Sequence, residues 1–312
     1  KGAPGIAWKD QNAIQKHVIS CVSLKCISLN DIRKKKFKIV IDAVNGAGSN
    51  ALPALLESLG CDVVELNCEP SGIFNRGTEP LPENLEDLSN AVIQHDANAG
   101  FAVDPDADRL AVVDENGKPL GEEYTLVLAA DGYMKNVKKE DETFVVNLST
   151  SMALEKLSIK NNIKVERSAV GEINVVNKMN ELSSNFGGEG NGGVILRESH
   201  LGRDSLVAAT MVLNRMSQSE DPLSQLHASL PQFQIIKDKI SLEGIDPKVL
   251  IHKVESLFKE ASKSTIDGIK FTWEDKWVHL RKSNTEPIMR IYAEASSPNS
   301  ALDLINCIKE LT

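Results

Sequence analysis

A loop in the middle of the chain carries carboxylates at alternate positions, in the order Asp104-Pro105-Asp106-Ala107-Asp108-Arg109. Carboxylates this close repel one another unless a cation joins them. A hard divalent ion with oxygen ligands fits, which leaves Mg²⁺ and Ca²⁺ open. An EF-hand does not fit because Arg109 stands where that loop needs glycine, and a solvated acidic turn is the alternative. We expect metal binding, because apolar segments tie the loop to a sheet on both sides. The expected ligands are Asp104, Asp106 and Asp108.

A second loop combines charged and hydroxyl side chains near the C-terminus. It reads Arg281-Lys282-Ser283-Asn284-Thr285-Glu286-Pro287-Ile288-Met289-Arg290. Two guanidiniums, two hydroxyls and an amide are able to surround a phosphate with charge-assisted hydrogen bonds and backbone N–H groups. From composition alone, a surface hairpin with incidental arginines is equally compatible.

A third loop is rich in glycine and runs from Phe186 to Gly193, before the apolar Val194–Leu196. It is not the G-x-G-x-x-G of a dinucleotide site, because it does not lie between a strand and a helix. Glu189 and Asn191 within it are able to hydrogen-bond sugar hydroxyls. A plain flexible turn is equally compatible with the same residues.

Alternating strands and helices position these loops. The first block has strands at Phe37–Asp42, Cys61–Leu66 and Ala99–Val103, with a helix through Leu52–Leu59 and another over 82–95. This order indicates an α/β fold with a mostly parallel sheet.

The second block repeats the plan of the first. It has strands at Phe144–Leu148 and Ile163–Ser168, with helices at Met152–Leu157 and Glu172–Glu181. The repetition predicts two similar α/β domains with mixed, largely parallel sheets.

The third block differs, and predicts a smaller α+β domain over an antiparallel sheet. A helix near Pro247–Ala261 precedes neighbouring strands at Trp277–Leu280 and Ile288–Ala295, and a helix at Ala301–Leu311 follows. Polar stretches around 135–142 and 217–222 suggest the boundaries. The predicted units are a leader with one helix (1–35), the metal-loop domain (36–137), the sugar-loop domain (138–220) and the C-terminal domain (221–312).

Composition excludes several classes of function. The net charge of −9 argues against a broad basic face for nucleic acid, and no apolar run of about 18 residues exists that could span a membrane. The first residues do not resemble a signal peptide. The five cysteines form no C-x-x-C pair, which favours buried free thiols in a reducing cytoplasm. We therefore expect a cytoplasmic protein, monomeric or dimeric, with neither nucleic acid nor membrane as partner.

Together, the motifs DPDADR, GGEGNGG and RKSNTEPIMR, in this order and spacing, resemble the α-D-phosphohexomutase family. This family includes phosphoglucomutases, phosphomannomutases and phosphoglucosamine mutases. The resemblance covers about residues 30–312, and the family fold is three similar α/β domains followed by a smaller fourth. The chain is expected to hold domains two, three and four.

The resemblance also implies roles for the three loops. The Asp triad would bind Mg²⁺, and Arg109 would contact the transferring phosphoryl group. Glu189 and Asn191 would hold sugar hydroxyls of a hexose phosphate or amino-sugar phosphate. The substrate's non-reacting phosphate would be held by Arg281, Ser283, Asn284, Thr285 and Arg290.

The chain departs from the family pattern at the nucleophile. In the family, a phosphoserine of domain one lies in a Ser-His-Asn-Pro-like loop, and none of the six histidines here is followed by Asn-Pro. We therefore expect the phosphoserine domain to be absent from this chain, and the chain alone to be inactive. The general base is open, with Glu172 and Lys178 in the expected region. Asn191 is more typical of amino-sugar mutases than of hexose-specific members.

These observations favour a Mg²⁺-dependent phosphohexose mutase, an isomerase that interconverts 6-phospho and 1-phospho sugars through a bisphosphate intermediate. Glucosamine phosphate is the preferred substrate, and phosphomannomutase or phosphoglucomutase activity is the alternative. A sugar-phosphate-binding protein without turnover stays open. So does a metal-dependent phosphatase, which the Asp triad alone could serve.

Overall fold

The computed structural model describes residues 10–137, 142–283 and 285–312. These residues form two four-stranded sheets and one five-stranded sheet. The predicted fold class is confirmed, because two similar α/β units with mixed, mostly parallel sheets precede an antiparallel C-terminal unit.

The first sheet has the strand order β2-β1-β3-β4. Its strands are β1 (Lys38–Asp42), β2 (Asp62–Leu66), β3 (Ala99–Val103) and β4 (Leu110–Asp114). β1 lies parallel to β2 and β3, while β4 runs antiparallel to β3. Helix α3 (Ala51–Ser58) connects β1 to β2, and α4 (Glu86–Gln94) leads into β3 after a short 3-10 turn at Pro82–Asn84. Every residue of β3 and β4 is buried, so the loop between them that carries the Asp triad (Asp104–Arg109, the metal loop) rests on a rigid base.

The second sheet repeats this order and these directions. Its strands are β5 (Thr143–Asn147), β6 (Lys164–Ser168), β7 (Phe186–Glu189) and β8 (Gly193–Leu196). Helices α6 (Met152–Lys160) and α7 (Glu172–Glu181) occupy the places of α3 and α4.

The expectation that Phe186–Gly193 is a loop throughout is wrong. Its first half, Phe186–Glu189, is the central strand β7. The glycines there serve close packing: a Cβ on Gly187 would lie 2.5 Å from the Val145 carbonyl oxygen and 2.7 Å from Met179 Sδ. Only residues 190–192 connect β7 to β8.

The sequence did not reveal helices α5 (Glu122–Asn136) and α8 (Ser205–Ser217), which follow β4 and β8. They pack against each other between the two sheets, where Arg215 forms an ion pair with Asp131. All residues of α8 are buried, so it has no polar face and no amphipathic pattern to detect. The two α/β units consequently share one continuous hydrophobic core.

The predicted leader with one helix contains two described helices, α1 (Ala13–Val22) and α2 (Leu29–Lys35). A tertiary contact holds the segment between these two helices, because the backbone N–H of Ser28 donates to the side chain of Asn214 in α8 at 2.9 Å. Val18 and Ile32 are buried in the shared core, which holds both helices against α8.

The C-terminal unit is an antiparallel sheet in the order β10-β11-β12-β13-β9, with a hydrophobic core of its own. The strands are β9 (Gln234–Ser241), β10 (Ser262–Ser264), β11 (Ile269–Thr272), β12 (Trp277–Lys282) and β13 (Ile288–Ala295). Its helices are α10 (Pro247–Leu257) and α11 (Pro298–Lys309), and α9 (Leu223–Ser229) precedes the sheet. Helix α11 begins three residues before the predicted Ala301, because Ser297 caps it and Pro298 is tolerated in the first turn.

A buried carboxylate attaches the C-terminal unit to the second sheet. Glu294 of β13 accepts hydrogen bonds from Ser151 Oγ, from the Met152 backbone N–H at 2.8 Å and from Trp277 Nε1 at 2.5 Å. It thereby satisfies donors at the N-terminus of α6, where negative charge is favourable. This contact sets the position of the β12–β13 hairpin relative to the glycine-rich segment Gly187–Gly193, which we call the sugar loop.

The five cysteines are free. Cys21 and Cys26 are buried as expected, whereas Cys61 and Cys68 are half-buried and Cys307 is exposed on α11. Across the described ranges, every helix is too short or too polar to cross a membrane.

Candidate active site

Residues from all three predicted loops line one cavity of about 300 Å³, which we call the central cavity. Its lining includes Arg109, Glu189, Asn191, Arg281 and Arg290. These side chains come from the first sheet, the second sheet and the C-terminal hairpin, so the fold gathers residues up to about 180 positions apart.

The loop carrying the Asp triad is clamped from two sides. The backbone N–H of Ala47 donates to the Pro105 carbonyl at 2.8 Å, and Ser205 Oγ donates to the Ala107 carbonyl at 2.7 Å. A Cβ on Gly46 would lie 2.5 Å from the Pro105 carbonyl oxygen, so glycine is needed for this approach. Ala107 has a left-handed backbone (φ +61°), which turns the chain sharply between the second and third carboxylates.

The three carboxylates converge. One oxygen from each of Asp104, Asp106 and Asp108 lies within 4.8 Å of the others. Asp104 is buried and Asp106 is exposed, so the carboxylate cluster extends from the protein interior to the surface. Burial and the charge of Asp104 raise the pKa of Asp108 to about 6, although Arg203 opposes this.

The donor set fits a hard divalent cation. Asp108 Oδ1 is buried without a hydrogen-bond partner among the described residues, with Arg109 Nε 3.7 Å away, and an oxygen so placed is suited to a metal ion. Asp104 is more fully occupied, because its Oδ1 accepts the backbone N–H groups of Asp108 and Arg109. Each carboxylate oxygen has a second lone pair, so this bonding orients Asp104 without preventing ligation.

Arg109 connects the Asp triad to the central cavity. Its Nε donates to Asp104 Oδ2 at 2.5 Å, and its Nη1 donates to Glu79 Oε1 at 3.1 Å. These two hydrogen bonds hold the guanidinium at the cavity wall, beside the triad. Glu79 was not predicted from the sequence, where it is an isolated acidic residue in a polar loop.

Two residues of the sugar loop, Glu189 and Asn191, present hydrogen-bond acceptors at the cavity. The Glu189 carboxylate accepts from Asn147 Nδ2 at 2.6 Å, from the Gly171 backbone N–H at 2.9 Å and from Arg203 Nη1 at 3.0 Å. Asn191 Oδ1 is buried with no described hydrogen-bond partner. It is therefore available to a donor group on a ligand.

The sugar loop and the metal loop contact each other directly. The backbone N–H of Leu110 donates to the Gly192 carbonyl at 3.1 Å. Gly192 has φ +90°, and a Cβ there would lie 2.4 Å from the Leu110 carbonyl oxygen. The relative position of the two loops is thus fixed by backbone contact.

Arg203, which precedes α8, was missed by the sequence analysis although it contacts both loops. It donates to Asp108, to Glu189 at 3.0 Å and to Glu172 at 3.1 Å. A single arginine outside any motif gives no signal in the sequence.

The register of the C-terminal hairpin places Arg281 of β12 directly opposite Arg290 of β13. Both line the central cavity, and Arg281 Nε lies 2.8 Å from Asp267 Oδ2. Two like charges at opposite positions disfavour each other unless an anion lies between them.

Ser283 and Thr285, in the turn of this hairpin, do not line the cavity. Ser283 Oγ accepts weakly from the backbone N–H groups of Thr285 and Glu286, at 3.4 and 3.3 Å. Thr285 is exposed. Asn284 falls outside the described residues.

A cationic side chain that the sequence analysis missed enters the cavity from β9. Lys237 forms an ion pair with Glu122 at the start of α5, and its Nζ lies 5.6 Å from the ring centroid of Tyr292. All three line the central cavity. Lys237 stands in the polar run Lys237-Asp238-Lys239 of β9, so from the sequence it looks like an ordinary solvent-exposed lysine.

A buried histidine supports the cavity wall behind Ser149. His279 Nε2 lies 2.6 Å from the Asp267 carbonyl, which only accepts, so Nε2 carries the hydrogen. Burial lowers the pKa of His279 to about 4, so the ring is neutral and its Nδ1 accepts from Ser149 Oγ at 3.0 Å.

The two candidate bases occupy different places. Glu172 is paired with Arg203 at the edge of the site. Lys178 lies further along α7, where its Nζ is 3.7 Å from Glu166. Neither lines the central cavity.

Comparison with protein families matches three consecutive models to the chain. They are phosphoglucomutase/phosphomannomutase alpha/beta/alpha domain II over residues 15–117, alpha/beta/alpha domain III over 121–233, and the C-terminal domain over 242–309. Domain I is not matched.

Curated relatives agree with these matches. A phosphoglucomutase/phosphomannomutase of Thermococcus kodakarensis is 36% identical over 89% of the chain and 61% of its own length. A phosphoglucosamine mutase of Methanocaldococcus jannaschii is 30% identical over 96% of the chain and 67% of its own length. The chain thus spans about three fifths to two thirds of the length of these relatives.

Solved structures share the fold. A phosphoglucomutase/phosphomannomutase family protein from Burkholderia thailandensis superposes with a TM-score of 0.80 at 24% identity, over 95% of this chain and 63% of that chain. An Aspergillus fumigatus N-acetylphosphoglucosamine mutase, solved in complex with GlcNAc-6P and magnesium, gives a TM-score of 0.65 at 15% identity, over 96% and 65%.

Proposed function

The chain belongs to the phosphoglucomutase/phosphomannomutase family, and we propose that it forms the metal-, sugar- and phosphate-binding part of a cytoplasmic phosphohexose mutase. The reaction is the interconversion of 6-phospho and 1-phospho sugars through a bisphosphate. The observation that carries the proposal is that the three loops line one cavity.

The two ends of the cavity suit the two ends of a phosphosugar. Arg281 and Arg290 hold the phosphate that does not react, because their opposed guanidiniums suit a single anion. We carry over Ser283, Asn284 and Thr285 from the family resemblance as further hydroxyl and amide donors to this phosphate, although Ser283 and Thr285 do not line the central cavity. Between the ends, Glu189 and Asn191 orient the sugar through its hydroxyl or amino groups.

Arg109 and the Asp triad form the reacting end. Asp104, Asp106 and Asp108 hold Mg²⁺, which when bound neutralises negative charge on the phosphoryl group. Arg109 contributes a second positive charge from the cavity wall, where its hydrogen bonds to Asp104 and Glu79 prevent it from turning away. The A. fumigatus neighbour, solved with magnesium, supports this choice of ion.

Glucosamine phosphate is the substrate we prefer, because curated relatives include phosphoglucosamine mutases. Asn191 Oδ1, which has no hydrogen-bond partner among the described residues, is able to accept from the amino group of this sugar, and equally from a hydroxyl of the other sugars. The T. kodakarensis relative, named for glucose and mannose phosphates, makes those sugars the second candidate.

A calorimetric comparison tests the binding part of the proposal. The chain, with Mg²⁺, is titrated with glucosamine 6-phosphate, glucose 6-phosphate and mannose 6-phosphate, and with unphosphorylated glucosamine as control. We expect the phosphorylated sugars to bind, the amino sugar most tightly, and the free sugar not to bind. Equal weak heats for all four ligands would contradict the proposal.

A turnover assay on the same preparation separates a mutase part from its alternatives. We expect this chain, with Mg²⁺ and a sugar bisphosphate, to leave the hexose phosphates unchanged, because we infer that the phosphoserine belongs to domain I. Release of inorganic phosphate would instead identify a phosphatase. Isomerisation by this chain would show that it carries a nucleophile of its own.

A further inference from the structure

A second cluster of metal-binding side chains lies outside the central cavity. It consists of His17 of α1, His200 in the turn after β8, and Asp204, which caps α8. The ligand atoms of the three residues lie within 4.8 Å of one another, and both imidazole Nε2 atoms lie 2.8 Å from Asp204 Oδ2. We propose that His17, His200 and Asp204 bind one Zn²⁺ ion.

The donor set selects the metal. Two imidazole nitrogens and one carboxylate oxygen suit Zn²⁺, whereas Mg²⁺ prefers an all-oxygen environment such as the Asp triad. The two imidazoles are 34% and 47% exposed, so solvent reaches the cluster and supplies the remaining coordination position. The chain would thus hold two different divalent ions at two chemically different sites.

The carboxylate at the centre is oriented by its own helix. Asp204 Oδ1 accepts the backbone N–H groups of Leu206 and Val207, at 2.8 and 3.1 Å, which leaves Oδ2 pointing to the imidazoles. Such an outer contact fixes a metal ligand in advance. In a tetrahedral zinc site, nitrogen and oxygen ligands stand about 3.3 Å apart, so the imidazoles need to retreat by only about half an ångström.

A neighbouring thiol is outside the ligand set. Cys21 follows His17 by one helical turn, and its Sγ lies 3.8 Å from His17 Nε2. It is fully buried, unlike the imidazoles, and its Sγ is not among the ligand atoms that all lie within 4.8 Å of one another. The proposed ligand set is therefore His17, His200 and Asp204.

The place of the cluster gives the ion a structural role. It joins α1 to the start of α8, one residue after Arg203, which holds Asp108 and Glu189. In the absence of zinc, the same side chains form hydrogen bonds between the imidazoles and Asp204. Zinc replaces these bonds by coordination and stabilises the folded chain, because a preformed site of this kind does not exist in the unfolded chain.

Calorimetry with Zn²⁺ alone tests the inference on the chain stripped with a chelator and then saturated with Mg²⁺. We expect one Zn²⁺ per chain, bound equally well by Asp106→Asn, which alters only the Asp triad. His17→Ala should weaken Zn²⁺ binding by at least about 10–100-fold, the effect of disturbing even an outer-shell partner. His252→Ala, in an exposed side chain of α10, is the matched control and should bind Zn²⁺ like the parent.

A second variant guards against loss of folding. In His200→Asn, the amide still donates a hydrogen bond to Asp204 but is a poor zinc ligand. We expect this variant to melt like the parent in chelator and to lose the rise in Tm that Zn²⁺ gives the parent. If the parent binds no Zn²⁺ beyond the Asp triad, or if His17→Ala and His200→Asn bind it like His252→Ala, the cluster is only a hydrogen-bonded cap and the inference is wrong.

Discussion

Arg203 donates a hydrogen bond to Asp108, and this contact joins the segment before α8 to the metal loop after β3. The same guanidinium also donates to Glu189 and Glu172, so one cation balances carboxylates from three parts of the chain. Because Glu189 is 3% exposed and Arg203 is largely buried, the charges of this pair have little water to solvate them. The positions of the metal loop and the sugar loop are therefore coupled through Arg203.

Replacing this arginine should destabilise the chain. Arg203→Met leaves Asp108 and Glu189 without their shared cation, and breaking a buried ion pair from one side costs about 3–5 kcal/mol. We expect the free energy of unfolding to fall by that order, measured with urea. The matched control is Arg33→Met, because Arg33 is exposed and, among the described residues, its guanidinium donates to the Ser58 carbonyl alone. Equal losses in the two variants would mean that Arg203 is an ordinary packing residue.

Mg²⁺ affinity should depend on the exposed member of the Asp triad. Asp106→Asn removes one charged ligand and disturbs little packing, because Asp106 is exposed. We expect Mg²⁺ binding, measured by calorimetry, to weaken by about tenfold or more, which corresponds to about 1.4 kcal/mol. Asp303→Asn, an exposed change on α11, should leave Mg²⁺ affinity unchanged. If both variants bind Mg²⁺ like the parent, the triad is a solvated acidic turn.

The sequence predicted the loops because their chemistry is local. The carboxylates of the metal loop stand at alternate positions, so Asp104, Asp106 and Asp108 are conspicuous without any knowledge of the fold. The strands were equally visible, since β1 and β5 are short apolar runs bounded by turns. The register of Arg281 and Arg290 is likewise set by the short hairpin between them.

Residues that reach the site through tertiary structure could not be predicted in this way. Lys237 enters the cavity because β9 pairs with β13 at the edge of the C-terminal sheet, a pairing between segments about 50 residues apart. Arg203 acts through a turn whose place depends on α8, and α8 itself was hidden because it is buried on every side. The glycines of β7 suggest a loop in the sequence. Glycine is needed at Gly187 because Val145 and Met179 approach its backbone closely, and this contact exists only in the folded chain.

The affinity for a phosphorylated sugar should fall when an arginine of the hairpin is replaced by lysine. Arg281→Lys keeps the charge but loses the planar fork that makes two parallel bonds to a phosphate. We expect the affinity for a hexose phosphate to fall by about 1–3 kcal/mol, the worth of a charge-assisted hydrogen bond, with no change for the free sugar. Calorimetry on both ligands measures this difference.

The control for this prediction comes from the same strand. Lys282→Gln removes a charge next to Arg281, but Lys282 is exposed and does not line the central cavity. The affinity of the Lys282→Gln variant for the hexose phosphate should stay close to that of the parent. If Arg281→Lys and Arg290→Lys also bind like the parent, the loop is a surface hairpin with incidental arginines.

Stability should fall in mildly acidic solution because of His279. Burial lowers the pKa of this imidazole from 6.5 to about 4 in the folded chain, and Lys270 and Arg281 add to the effect. Between these two pH values the unfolded chain binds a proton that the folded chain does not. The contribution of His279 to the free energy of unfolding is therefore fully present above pH 6.5 and is lost as the pH falls toward 4. Between about pH 7 and about pH 4.5, this linkage removes on the order of 2 kcal/mol.

Urea unfolding of the parent and of His279→Gln at the two pH values isolates this contribution, because the other titrating groups are common to both chains. We expect the parent to lose more stability than the variant by about 2 kcal/mol. His95→Gln, in an exposed histidine that ends α4, should keep the pH dependence of the parent. A His279→Gln variant with that same dependence would show that His279 takes up its proton in the folded chain, where Nδ1–H would then donate to Ser149 Oγ and not accept from it.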